Sequence, residues 1–573
     1  MKILREGLNS GDKEQREISQ QIFNTKPMSF EIKDRDILGR IGKLKTRSGT
    51  VETPSLLPVV NPLEQPIPPR EMLSRFKCKI LMTNSYIIKK HFPEEAIKQG
   101  VHGLLNYEGV IATDSGGYQV LIYGDVDVSQ EEIIDFQEAI RPDIAVILDH
   151  PTGWGASHEK AAWTVDITNR RAEEAINKIQ NSPILWVGPV QGGEHLDLIE
   201  HSAQKLGNMP FQIYALGSPT QVMERYLFKL LVDMIMTAKR NLPLNRAFHL
   251  FGAGHPFMFA LAVSLGCDLF DSAAYALYAR DGRYMLPYGT KKLEELSCLP
   301  CSCPVCRSHD AEDLKDMYSQ DRLRLLAEHN LYVSMAEIDR VKQAIKEGML
   351  WELLEVRCRS HPALSSALRA LIQYKNDLEK GNPSFKGRGV FYYDSASLTR
   401  PEITRHEKRI LQNYRPQLGV DTLLLLPAPK TKPFSSSPEA EEVITALKNV
   451  LGSDYSRLAI CFYCPPFSIV PLELSETYPL SQYEAALPWD NETLDYTATQ
   501  IEAFASKEWF SKVVLCDDPT VLGNRLQILH ERLHQKPSAR LITTSIGELS
   551  DSKAINKLAH ILEELMHASS NRP

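Results

Sequence analysis

Short apolar, β-rich runs recur along the chain at Leu57–Val60, Ile80–Thr83, Val110–Thr113, Ile144–Leu148, Leu185–Val190, Ile213–Leu216, Phe248–Phe251 and Leu269–Phe270. Helical patterns lie between most of them, such as Ser129–Ile140, Glu159–Gln180 and Gln221–Lys239. Strand–helix alternation sustained over the 214 residues from Leu57 to Phe270 leaves few possible folds. Eight such strands predict an α/β protein built on a (β/α)8 TIM barrel, with an open doubly wound sheet as the alternative.

The strand ends carry the chemistry. The run at Val110 ends in Asp114-Ser115-Gly116-Gly117 and the run at Ile144 in Asp149-His150. Later runs end in Gln191-Gly192-Gly193, Gly217-Ser218, Gly252-Ala253-Gly254-His255 and Asp271-Ser272. In a barrel these ends meet at the C-terminal face, where active sites of this fold lie. Glycines there let backbone approach a flat ligand. A single strand-terminal Asp reads as a helix N-cap. Three of them on one rim, with Gln191 beside them, read instead as a catalytic constellation. A carboxylate closing a buried strand, as Asp271 does in LFDSAAYALYARDGRY, costs desolvation unless it is paired or used.

With 573 residues the chain has room for roughly three or four domains. Residues 1–27 are polar and predict a loose tail without the apolar core of a signal peptide. Residues 28–380 predict the catalytic barrel. Its lead-in from Phe30 to Val60 alternates around Gly39, Gly42 and Gly49, as antiparallel strands do. Ala336–Lys346 and Leu350–Tyr374 read as amphipathic helices. Residues 390–432 predict a small separate segment, and residues 441–573 a C-terminal α/β domain with strands LAICFYC, KVVLCDD and ARLITTS. No apolar run reaches the roughly 18 residues of a membrane span, so the expected compartment is the cytoplasm. A formal net charge of −7 means that any nucleic acid must meet a local basic patch. Arg280, Arg283, Lys291, Lys292 and Arg307 are the candidates.

Four of the ten cysteines fall between Cys298 and Cys306, a metal-site density rather than a disulfide framework. Cys301, Cys303 and Cys306 can supply three thiolates from one turn, and His329, ending the helical stretch Asp321–His329, a fourth ligand. Cys298 and His309 compete. A closed four-ligand set predicts structural Zn2+, one per chain. Cys461-x2-Cys464 sits in an apolar strand and reads as buried thiols.

The segments TDSGGYQ, VQGG, ALGSP, FGAGHP and FDSAAYALYARDGRY, with Cys-x-Cys-x2-Cys and the later histidine, resemble tRNA-guanine transglycosylases. The stretch after Asp271 is similar to the archaeal, archaeosine branch. The resemblance implies a (β/α)8 barrel with a zinc-binding subdomain, here 285–335, inserted after the eighth strand. It implies a pentosyltransferase that exchanges guanine at position 15 of the tRNA D-arm for 7-cyano-7-deazaguanine (preQ0). By motif, Asp271 is the nucleophile and Asp114 the general acid/base. The paired-carboxylate logic is that of retaining glycosidases, whose carboxyls stand about 5–5.5 Å apart. Asp149 is expected to read the Watson–Crick edge of the base, with Ser115, Gln191 and backbone around Ala215–Gly217 completing the pocket and Tyr118 stacking on it. A homodimer is expected. The archaeal family's usual C-terminal PUA domain is not recognisable in the sequence, so a separate PUA-bearing partner is expected for tRNA binding. The competing readings are a catalytically silent tRNA-binding or scaffold relative, an enzyme that further modifies the inserted base, and a queuine-type enzyme acting at position 34.

Overall fold

The structure, a computed structural model, describes residues 29–117, 128–534, 540–545 and 552–567. The chain divides into two compact units, Met1–Tyr374 and Lys375–Pro573.

The first unit opens with an antiparallel sheet of β1 (Phe30–Asp36), β2 (Gly39–Lys45) and β3 (Thr50–Thr53). Eight parallel strands follow: β4 (Ser55–Pro58), β5 (Ile80–Asn84), β6 (Val110–Asp114), β7 (Ile144–Val146), β8 (Leu185–Val190), β9 (Ile213–Leu216), β10 (Ala247–Leu250) and β11 (Leu269–Ser272). They pair in sequence order, and β11 pairs back onto β4. A bridge between Val59 and Met82, with the Val60 N–H donating to the Met82 carbonyl at 2.7 Å, closes the barrel. The eight expected runs are these eight strands, two of them with identical bounds and the rest shifted by no more than two residues at their ends.

Inward-facing side chains alternate along each strand, as a barrel requires. Leu57, Ile80, Met82, Ala112, Val146, Val187, Ile213 and Leu269 share one buried cluster. Phe30, Leu44 and Val51 of the antiparallel sheet belong to the same cluster, so that sheet plugs the N-terminal mouth. Beneath it Arg40 forks onto Asp268 at 2.8 and 2.6 Å, and Asp268 also accepts the Phe248 N–H at 2.8 Å. Both side chains are almost wholly buried, so losing either partner would cost about 3–5 kcal/mol. This end of the barrel is built for stability; chemistry is left to the other.

Three helical expectations differ from the structure. Gln221–Lys239 is two helices, Thr220–Glu224 and Phe228–Arg240, separated where Tyr226 takes φ 58°. The stretch Asp321–His329 and the helix expected at Ala336–Lys346 are one helix, Ser319–Glu347, ended by Gly348 at φ 73°. Leu350–Tyr374 breaks into Leu350–Cys358, Pro362–Ala370 and a 3-10 turn, because Pro362 cannot sit inside a continuing helix. After β11 the chain forms a helix, Ala274–Arg280, and a hairpin of β12 (Arg283–Leu286) and β13 (Gly289–Lys292).

The second unit contains a short parallel pair, β14 (Val390–Tyr392) with β18 (Tyr483–Ala485), and a five-stranded sheet. The sheet is made of β15 (Thr422–Pro427), β16 (Leu458–Cys464), β17 (Ser468–Pro471), β19 (Lys512–Asp517) and β20 (Arg540–Ser545), in the order β17-β16-β15-β19-β20. Only β17 runs antiparallel to its neighbour. Leu424 and Leu426 face one helical layer, Leu423 and Leu425 the other, so the apolar run is a strand buried on both sides. The segment expected to stand apart at 390–432 therefore supplies the central strand of the same sheet as residues 441–573. No helix among the described residues is long and apolar enough to cross a membrane.

Candidate active site and metal centre

Asp114 is the last residue of β6, and its carboxylate lies on the C-terminal rim. Its Oδ2 accepts the Asn84 side-chain amide at 2.8 Å and the Gly116 N–H at 3.2 Å. Burial pushes its carboxyl up to about 7, helped by the nearby charges of Asp149 and Asp271. It is thus poised to give and take a proton near neutrality. Asn84, which closes β5 and caps the following helix through the Ile87 N–H, escaped the sequence reading because it looks like an ordinary N-cap.

Asp149 follows β7 and is 5% exposed. Its Oδ2 accepts the Gln191 amide at 2.6 Å, while Gln191 Oε1 accepts from the Thr152 N–H at 3.2 Å and the Ser218 hydroxyl at 2.9 Å. That network fixes which end of the Gln191 amide faces Asp149. Burial raises the Asp149 carboxyl to about 6. Two glycines are demanded by space. A Cβ on Gly117 would fall 2.0 Å from Asp149 Oδ1, and one on Gly217 would fall 2.2 Å from Gln191 Nε2. The Ser115 hydroxyl is buried and has no partner among the described residues, so it is available to a ligand. Ala215 lies inside β9 with its methyl in the barrel core, whereas Gly217 is just past the strand end. Tyr118 lies outside the described residues.

Asp271 sits on β11, and its Oδ1 accepts the Gly252 N–H at 3.0 Å. His249 of β10 brings Nε2 to 2.9 Å from the same oxygen, off the line of a straight hydrogen bond. Oδ2 has no partner among the described residues. Both supports of Asp271 come from the neighbouring strand and its turn. His249 was hidden in the sequence as one polar residue inside an apolar run.

In the candidate metal centre, the Sγ atoms of Cys301, Cys303 and Cys306 and a ring nitrogen of His329 all lie within 4.8 Å of one another. His329 Nδ1 is 3.5 Å from Cys303 Sγ and 3.3 Å from Cys306 Sγ, while Nε2 is 2.9 Å from the Met285 carbonyl. A carbonyl can only accept, so Nε2 carries the proton and Nδ1 offers its lone pair to an ion. Tyr284 stacks on the His329 ring at 3.6 Å and reaches Cys306 Sγ at 3.1 Å. The donor set suits a tetrahedral metal ion. Cys298 is exposed and, like His309, stays outside the cluster.

Of the basic candidates, Arg283, Lys291 and Lys292 lie on the β12–β13 hairpin, where Arg283 faces Lys292, while Arg280 ends the helix before it and Arg307 sits on the short helix Pro304–Ser308. Arg280 pairs with Glu64 at 3.2 Å and Arg283 with Asp281 at 3.5 Å, which leaves Lys291 and Arg307 as exposed charges.

A barrel with three rim aspartates and a Cys3His cluster matches what sequence comparison finds. The profile of the queuine tRNA-ribosyltransferase family matches residues 35–363, and that of a domain of unknown function matches residues 403–562. The chain belongs to the queuine tRNA-ribosyltransferase family, the tRNA-guanine transglycosylases, which are pentosyltransferases. It is 42% identical over 489 residues to a tRNA-guanine(15) transglycosylase of Methanosphaera stadtmanae, covering 84% of this chain and 71% of the relative. It is 40% identical to the protein of that name from Sulfolobus acidocaldarius, covering 84% of this chain and 94% of the relative. With the one from Methanosarcina barkeri it shares 44% identity over 469 residues, 81% of this chain and 89% of the relative.

Proposed function

We propose that this chain exchanges guanine at position 15 of the tRNA D-arm for preQ0, in the cytoplasm, on the way to archaeosine. The relatives' shared name supports the position, and the archaeal wording after Asp271 supports the incoming base. The observation that carries the chemistry is the unequal treatment of two carboxylates. Asp114 is held near neutrality by burial, while Asp271 is oriented through Oδ1 with Oδ2 left open.

Asp271 attacks C1′ of the target nucleotide as the C1′–N9 bond breaks, and Asp114 gives its proton to the departing guanine. The resulting glycosyl ester preserves the bond energy, so no ATP is needed. The incoming preQ0 then attacks C1′, the C1′–O bond to Asp271 breaks, and Asp114 takes the proton that preQ0 loses. Two displacements retain configuration, as with paired carboxylates in glycosidases. Asp149 accepts from N1–H and the 2-amino group of either base, and Gln191, Ser115 and backbone near Gly217 border that edge. Cys301, Cys303, Cys306 and His329 hold one zinc ion, whose role is to pin the insert after the barrel.

The test uses tRNA labelled in guanine 15. Label loss that requires both preQ0 and Asp271 is expected. Exchange that survives Asp271→Ala but not Asp114→Ala would reverse the two roles. No exchange by the wild type, with or without an added PUA-domain protein, would favour a silent tRNA-binding subunit. The proposed homodimer is read by light scattering of the same preparation.

A further inference from the structure

The second unit carries a built cavity that the base-exchange chemistry does not use. It measures about 700 Å³ and opens at the carboxyl ends of β15, β16 and β19. The chain leaves β15 for β16 on one side of the sheet and later crosses to β19 on the other. Such a reversal of strand order opens a crevice between the diverging connections, and doubly wound sheets bind ligands there. The volume is that of a small-molecule site.

The walls have a definite chemistry. Phe434, Tyr483 and Trp489 supply aromatic surface, and Leu487, 72% exposed, extends it to the mouth. Lys430 and Lys432 supply charge, and no carboxylate lines the cavity among the described residues. The Lys432 ammonium lies 4.0 Å from the Tyr483 ring centre and donates to the Tyr483 carbonyl at 3.1 Å. One proton is thereby committed and two remain for an anion. Lys430 is exposed and makes no ion pair among the described residues. The Trp489 ring is held edge-on against Tyr392, 5.9 Å between centres, while it borders the cavity. An apolar metabolite would leave two lysines without purpose, and an inorganic anion would leave the aromatic wall idle. A ligand with both a flat ring and a negative group answers both.

We propose that this crevice binds one nucleotide unit, with its base on the Trp489 wall and its phosphate at Lys430 and Lys432. The unit comes either as a free nucleotide or as an unstacked residue of tRNA, and the two sources are separable. The site stands independently of the active-site reading, since it uses none of the rim aspartates.

The experiment uses the full chain and three variants, Trp489→Ala, Trp489→Phe and Lys430→Glu/Lys432→Glu. Calorimetry measures binding of nucleoside 5′-monophosphates, and filter binding measures unmodified tRNA across a salt series. Affinity should fall by at least about tenfold in Trp489→Ala and be largely restored in Trp489→Phe. For tRNA as the source, the slope of log affinity against log salt should shrink by about one per lysine replaced. A loss with monophosphates identifies a free nucleotide, and a loss with tRNA alone identifies an RNA residue. Unchanged affinity for both ligands in all variants overturns the proposal. Should a variant fail to melt like the wild type, the exposed Lys430→Glu change alone decides: unchanged affinities and salt slope again overturn it.

Discussion

His249 Nε2 stands 2.9 Å from the same Asp271 oxygen that accepts the Gly252 N–H, so two groups from one strand and turn hold the candidate nucleophile from a single side. Removing the ring should let the carboxylate rotate without disturbing the base pocket. His249→Ala is expected to lower kcat by about 100-fold, the scale of a small misplacement of a reacting atom. The KM for tRNA should hardly move. Single-turnover exchange of labelled guanine checks this.

Asp114 links pH to both rate and stability. Its carboxyl is raised from 3.8 to about 7 in the folded chain. Below pH about 4 it is protonated folded and unfolded alike, and costs nothing. As pH rises toward 7 the unfolded chain ionises first, so folded stability falls, and the loss is complete above the folded value. Asp114→Asn should abolish exchange yet be more stable than wild type at pH 8, by on the order of a few kcal/mol. Urea melts at pH 5 and pH 8 read the difference. In the wild type, the step that releases guanine should slow as pH climbs above about 7.

The glycines at the base pocket are spatial requirements. Gly117→Ala would drive a methyl group to 2.0 Å from Asp149 Oδ1, and Asp149 would have to leave its hydrogen bond with Gln191. Overpacking of this kind costs about 1–3 kcal/mol. The sharper expectation is kinetic: KM for preQ0 rises by about tenfold or more, because the base-reading carboxylate is displaced. Steady-state kinetics in preQ0 at saturating tRNA measures it.

Metal removal should act on folding before it acts on chemistry. Cys303→Ser is expected to lose the bound ion, seen by elemental analysis as a fall from one metal per chain. Thermal stability of the first unit should drop with it, because structural metal binding contributes folding free energy. Adding zinc to chelator-treated wild type, but not to the variant, should restore the original melting point.

The barrel was legible because each of its strands is a short apolar run followed at once by a polar or glycine-rich end, from Asp114 round to Asp271. The candidate metal cluster was legible for a similar reason, since three cysteines within six positions seldom serve packing alone. The supports were not legible. Asn84 and His249 each have an ordinary place in a strand, and only the closure of the sheet brings them to Asp114 and Asp271. The run LLLLP of β15 misled in another way. Its neighbours in the sheet, β16 and β19, come 31 or more residues later by strand position, so sequence proximity tied it to the wrong piece. The long helix Ser319–Glu347 was read in parts because its buried face includes Glu328, His329, Asn330 and Glu337 beside the apolar residues.

That helix has a consequence for how the molecule matures. Next to the candidate ligand His329 it carries Asn330, whose amide donates to the Tyr275 and Arg283 carbonyls at 3.2 and 3.1 Å and accepts the Met285 N–H at 2.8 Å. Tyr275 belongs to the helix that begins three residues after Asp271. Ion capture and the tethering of that helix are therefore neighbouring events on one rigid rod. A newly made chain short of metal would leave that rod and helix loosely joined and the first unit less stable before its chemistry is touched, which makes trace-element supply a checkpoint on the protein's assembly.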